Sequence, residues 1–319
     1  SSAGLVFDPQ RTRALNDQSA NLREALHTAG RIGRHDDRAA IVSGLWPLVV
    51  DARARRWFDA EVTAALAETP AGPLRQILVR LALQGQIGEF VDTARRQELV
   101  DLLAADDPER RAPVWGVVDT MDAAAEIYLA RLAGGDREPT RKKLAEVIDV
   151  ADRTNHVLDL AVAELFLSFS HLLDADLPTA RDLASRAAAS ARACNFVPLA
   201  ALADAATAFA TAPADTTDEV VALARHAVEL GENARWETSI RAAHVVVLGR
   251  AGRRKEAGGA LASLVSLARD DGNPFMVFDA VAAAAALASI DGDPTGTAAA
   301  LEHVSITRTP LATAVLLEV

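Results

Sequence analysis

Residues 154–195 read TNHVLDLAVAELFLSFSHLLDADLPTARDLASRAAASARACN, a segment that opens on Thr154-Asn155, breaks at Asp174-Ala175-Asp176 and closes on Cys194-Asn195. Each half has helical length and apolar residues at helical spacing. The layout continues outward. Asparagine precedes a new apolar run at Asn155, Asn195, Asn233 and Asn273, with spacings of 40, 38 and 40 residues. A second set of breaks lies midway: Gly134-Gly135-Asp136, Asp174-Ala175-Asp176, Ala212-Pro213-Ala214-Asp215, Ala251-Gly252-Arg253 and Asp291-Gly292-Asp293. Their first residues recur after 40, 38, 39 and 40 positions. Two interleaved sets of turns at one period describe a repeated pair of helices.

The turn chemistry fits that register. Asparagine either caps a helix start or takes the left-handed conformation past a helix end, and glycine does the latter readily. Asn273-Pro274 and Asp293-Pro294 read as a capping residue followed by proline in the first helical position. Counting ten residues from each asparagine gives Leu165, Ala205, Ala243 and Ala283, and fourteen gives Phe169, Phe209, Val247 and Leu287. Six residues on, small side chains recur at Ala161, Ala201 and Ser239, while Asp279 breaks the column. The second helices carry Leu183, Ala184 and Ala187, then Leu223, Ala224 and Ala227, then Leu261, Leu264 and Leu267.

The fold expected is all-α, a right-handed α-solenoid of helix-turn-helix, tetratricopeptide-like repeats with a period of about 39–40. A unit that cannot bury its apolar face alone must stack on its neighbours, and stacking builds an extended curved surface. The regular repeats span 134–303. Residues 1–133 form divergent repeats or a helical adaptor, with helices expected near 11–30, 36–52, 55–68, 72–84, 88–104 and 108–133. Residues 304–319 form a capping or truncated helix.

Composition agrees with a helical binding module. Of 319 residues, 50% are apolar, many of them alanine, and only 4% are aromatic, which suits closely packed helices. A net charge of −11 argues against general binding to nucleic acid or to anionic membranes, because the summed field repels phosphate. The basic runs at Arg53, Arg55 and Arg56, at Arg141 to Lys143 and at Arg253 to Lys255 flank turns and read as solvated helix ends. One cysteine, Cys194, excludes an intrachain disulfide and a cysteine zinc cluster, and a reducing cytoplasm is the expected compartment. The run Val281 to Ile290 is far shorter than the ~20 residues of a membrane span. The opening Ser1-Ser2-Ala3-Gly4 lacks an initiator methionine, and an excised fragment or a processed chain is expected.

Catalytic signatures are absent from the sequence. Gly252-Arg-Arg-Lys-Glu-Ala-Gly258 has the glycines of a phosphate loop without the lysine-serine ending or a preceding strand. The seven histidines never form a helical pair with an intervening glutamate, so no metal site is expected. The carboxylate pairs Asp36-Asp37, Asp106-Asp107 and Asp270-Asp271 fall at turns, where capping explains them. No catalytic residue, metal or cofactor is expected.

The N-terminal part carries a further signal. Asn21-Leu22-Arg23-Glu24-Ala25-Leu26, Leu45-Trp46 and Arg56-Trp57-Phe58 follow one another in an order that resembles the start of the C-terminal tetratricopeptide sensor region of STAND-type signalling ATPases. Asp271-Gly272-Asn273 and Ser289-Ile290-Asp291-Gly292-Asp293 are similar to repeat junctions of that family. The resemblance implies a regulatory sensor in which a protein, peptide or small-molecule effector occupies the superhelix and controls an attached ATPase and output domain. A free-standing adaptor with the same groove is the alternative. Contact residues are expected on the first helix of each pair: Glu164, His171, Asp204, Arg235, Trp236, Arg241, His244, Phe275 and Phe278. Tryptophan and arginine are favoured anchors because they join large contact area to polar handles.

Overall fold

The computed structural model describes residues 14–46, 48, 51, 54–86, 93–106, 138–271 and 274–299. Among these residues thirteen α-helices are delimited, and residues 14–17 and 294–299 are helical as well. The first five are α1 (Ser19–Arg31), α2 (His35–Gly44), α3 (Arg55–Glu68), α4 (Pro73–Gln86) and α5 (Thr93–Asp106). The other eight are α6 (Glu138–Thr154), α7 (Val157–Leu172), α8 (Leu177–Ala193), α9 (Val197–Thr211), α10 (Asp218–Leu230), α11 (Glu237–Arg250), α12 (Arg254–Asp271) and α13 (Pro274–Ile290). The chain divides into two compact units, residues 1–122 with Asn233–Arg235, and 123–232 with 236–319. The expected helix at 108–133 and the expected C-terminal helix at 304–319 lie outside the described residues.

In the first unit, helices α1 to α5 each pack on the next, and α2 also meets α4. Helix α2 ends at Gly44, short of the expected residue 52. Pro47 accounts for this, since a proline disfavours helical backbone in the residue before it. Leu26, Leu45 and Phe58 of the N-terminal motifs are buried with Val42 and Leu48, whereas Trp46 and Trp57 are half-buried. Arg38 donates to Glu68 at 2.9 Å and to Glu61 at 2.7 Å, tying α2 to the middle and the C-terminal end of α3.

In the second unit each helix from α6 to α13 packs on its successor. Alternate helices also meet: α7 on α9, α9 on α11 and α11 on α13. The helices that follow the asparagine turns therefore form a layer of their own, and α6, α8, α10 and α12 flank it. This is the expected alternation of first and second helices.

The turns explain the regularity. At the end of α6, Asn155 adopts φ 55°, His156 N–H donates to Ala151 O at 2.8 Å and Asn155 N–H to Asp152 O at 3.2 Å. That pair of bonds satisfies carbonyls the helix would otherwise leave open. The same two bonds recur around Ala175, Asn195, Gly252 and Gly292, and around Gly33 in the first unit. Asn155, Asn195 and Asn233 thus take the left-handed conformation past a helix end, whereas the expected cap at Asn273 lies outside the described residues. Ala175 does the same at φ 58°, a region costly for a residue with a Cβ.

The third turn departs from the count. Helix α9 begins two residues after Asn195, whereas α11 begins four after Asn233. The longer junction shifts the inner face by two positions. Val245 is fully buried, where counting pointed to Ala243, which is half-buried. Leu165, Ala205 and Ala283 occupy the buried column as counted.

Candidate functional site

Glu164, Asp204 and His244 hold one position in the fold. Each is the eighth residue of its helix, counted from Val157, Val197 and Glu237. Each faces the second helices on both sides.

Glu164 is 2% exposed and accepts from Arg186 Nε of α8 at 2.7 Å, with Ser190 Oγ at 3.5 Å. Burial pushes its carboxyl above the ordinary range, Arg186 pulls it back, and Asp152 of α6 pushes it up. Asp204 is 3% exposed and pairs with Arg192 of α8. Burial raises this carboxyl too, while Arg192 and His226 of α10 oppose the rise. His244 lies within the field of Arg225 on α10, Arg241 on its own helix and Glu256 on α12. Burial and then the two arginines hold its imidazole below the ordinary histidine range, and its Nε2 is buried without a hydrogen-bond partner.

Glu164 and Asp204 are therefore engaged within the fold, as charge ties between a first helix and the neighbouring second helix. A buried carboxylate needs such a partner, because desolvation alone would neutralise it. Arg186 and Arg192 are half-exposed, so each guanidinium keeps one edge in water while the other meets the buried acid. Sequence reasoning missed these arginines, because nothing in a polar helical face reveals which acid will lie beside it.

The remaining expected contact residues are scattered. His171 Nδ1 lies 3.0 Å from Asp176 Oδ2, and Asp176 also accepts from Thr179 N–H at 3.4 Å as the cap of α8. Thr179 first, then His171, hold the Asp176 carboxyl below its usual range against a small opposing burial effect. Arg235 is buried and groups with the first unit, whereas half-buried Trp236 precedes α11 in the second. Arg241 donates to Glu237 one turn earlier at 2.8 Å. Phe275 and Phe278 belong to α13, but their side chains lie outside the described residues. The geometry thus brings together Arg241 and His244, and aligns Glu164, Asp204 and His244 at equivalent positions.

For chemistry, Cys194 is half-buried and its Sγ lies 3.4 Å from Ala191 O. Burial pushes the thiol pKa up, which keeps it protonated and weakly nucleophilic at neutral pH. Among the described residues no group of three or more histidines, cysteines or carboxylates is placed to hold a metal ion. Nor is any described helix long and apolar enough to cross a membrane. Comparison of the chain with known protein families, with curated proteins and with solved structures finds no match in any of the three.

Proposed function

We propose that the chain is a non-catalytic binding and sensor module whose regular part is a right-handed α-solenoid of tetratricopeptide-like helix pairs. One observation carries this reading. The same helix-ending motif recurs around Asn155, Ala175, Asn195, Gly252 and Gly292, and the alternate helices α7, α9, α11 and α13 pack on one another as a layer. A layer built in this way grows by addition and presents a long surface for a partner. On this reading the effector is a protein, peptide or small molecule taken up on the first-helix side. The resemblance of the N-terminal motifs to STAND-type regulators supports a module attached to an ATPase in a cytoplasmic signalling or transcriptional protein.

The test combines two measurements on the purified chain. Affinity capture from lysate and thermal-shift screening of a metabolite library are expected to yield a bound partner or an effector that raises the melting temperature. A substrate panel run in parallel is expected to show no turnover. Turnover that disappears in His171→Asn or His244→Asn would overturn the binding reading in favour of an enzyme. The regulator part is checked separately by the parent reading frame, which should encode an ATPase.

A further inference from the structure

The small-residue column of the first helices ends in an anomaly. Ala161 and Ala201 are fully buried. The next members are Ser239 and Asp279, and they meet each other. Asp279 Oδ2 on α13 accepts from Ser239 Oγ at 2.8 Å and from Thr238 Oγ1 at 2.7 Å, both in the first turn of α11.

Among the described residues this carboxyl has no cation beside it. The described charged groups on the helices packed against α13 are occupied elsewhere or in solvent. On α11, Glu237 pairs with Arg241, His244 lies among Arg225, Arg241 and Glu256, and Arg250 stacks 5.9 Å over the Phe209 ring. At α12, Arg253 holds Asp218, Arg254 holds Asp291, Glu256 meets Arg225, and Lys255 and Arg269 are exposed. Glu164 and Asp204, by contrast, each carry an arginine. Two hydroxyl donors favour the ionised Asp279, and enclosure favours the neutral acid. Asp279 is half-buried, yet its desolvation outweighs the two hydroxyls, and the group is pushed up to about 6.

We propose that the contact of Asp279 with Thr238 and Ser239 makes the α11–α13 joint proton-sensitive, tight when the carboxyl is protonated and looser when it ionises. The sign follows from linkage. A carboxyl whose folded value lies above its unfolded one holds a proton in the folded state that the unfolded chain has released. That stabilisation is present at low pH and is lost as pH rises through about 6. The joint therefore tightens on mild acidification, independently of whether the binding reading holds.

Hydrogen exchange on the full chain at pH 5 and pH 7.5, corrected for intrinsic rates, tests this. Peptides of α13 are expected to be up to about tenfold better protected at pH 5, the ratio a displacement of about two pH units yields between those values. In Asp279→Asn, whose amide oxygen still accepts from both hydroxyls, that ratio should fall to the one shown by α7. A carbon-13 titration of the Asp279 carboxyl in the wild-type protein supplies a reading that does not depend on the variant folding. A midpoint near 6 supports the joint. A midpoint near 4, or an α13 ratio unchanged in Asp279→Asn, overturns it.

Discussion

At the residue scale, Ala175 shows how a turn position sets its own side-chain requirement. It shares its left-handed backbone and its two hydrogen bonds with Gly252 and Gly292, which occupy the equivalent turns at no steric cost. Ala175→Gly is therefore expected to raise stability by about 1 kcal/mol, because relief of the left-handed penalty exceeds the entropy lost with glycine. Chemical denaturation measures it, and a fall in the midpoint would show that the turn tolerates the Cβ freely. His244 makes a second prediction, with the opposite acid response to Asp279. Its folded value lies below the ordinary histidine value of about 6.5, so below that pH the unfolded chain binds a proton that the folded chain refuses. Stability from this group is lost on acidification, and His244→Asn should flatten the fall in melting temperature between pH 7.5 and 5.5. An identical slope in the variant would mean that the imidazole titrates freely.

At the element scale, α9 and α13 are apolar nearly all round and rich in alanine. Ala205 is 2% exposed in α9, so Ala205→Leu should overpack the layer and cost about 1 to 3 kcal/mol. Ala262→Leu on the exposed face of α12 should change stability by less than about 0.5 kcal/mol. Equal effects at both sites would mean that the assigned faces are wrong. The charge ties work between elements. Arg192→Met leaves Asp204 buried without a cation and is expected to cost about 1 to 2 kcal/mol, a figure discounted because the arginine is half-exposed. Adding Asp204→Asn should recover most of that loss. A double-mutant cycle with no coupling would remove the tie from the account of the α8–α9 interface.

At the scale of the whole molecule, stacked units imply a graded stability, because each helix is held only by its neighbours. Helix α9 packs on α7, α8, α10 and α11, whereas α6 packs on α7. Native-state hydrogen exchange should find α9 among the most protected segments of the second unit and α6 among the least. Uniform protection would describe a single cooperative globule instead of a repeat array. By itself the sequence determined the helices, their pairing and the period, because turns are built by consecutive residues and a left-handed asparagine or glycine ends a helix wherever it stands. It also exposed Asp279 as the odd member of a small column, without saying what received it. Only the tertiary structure decided that Glu164 and Asp204 face inward to Arg186 and Arg192, that the Asn233 junction shifts its helix by two residues, and that Thr238 and Ser239 close on Asp279. The physical reason is distance along the chain. A buried acid is matched by a side chain about one helix away, and the half-buried Asp279 by side chains about a whole repeat away, and which one each meets depends on how each helix is rotated in the stack.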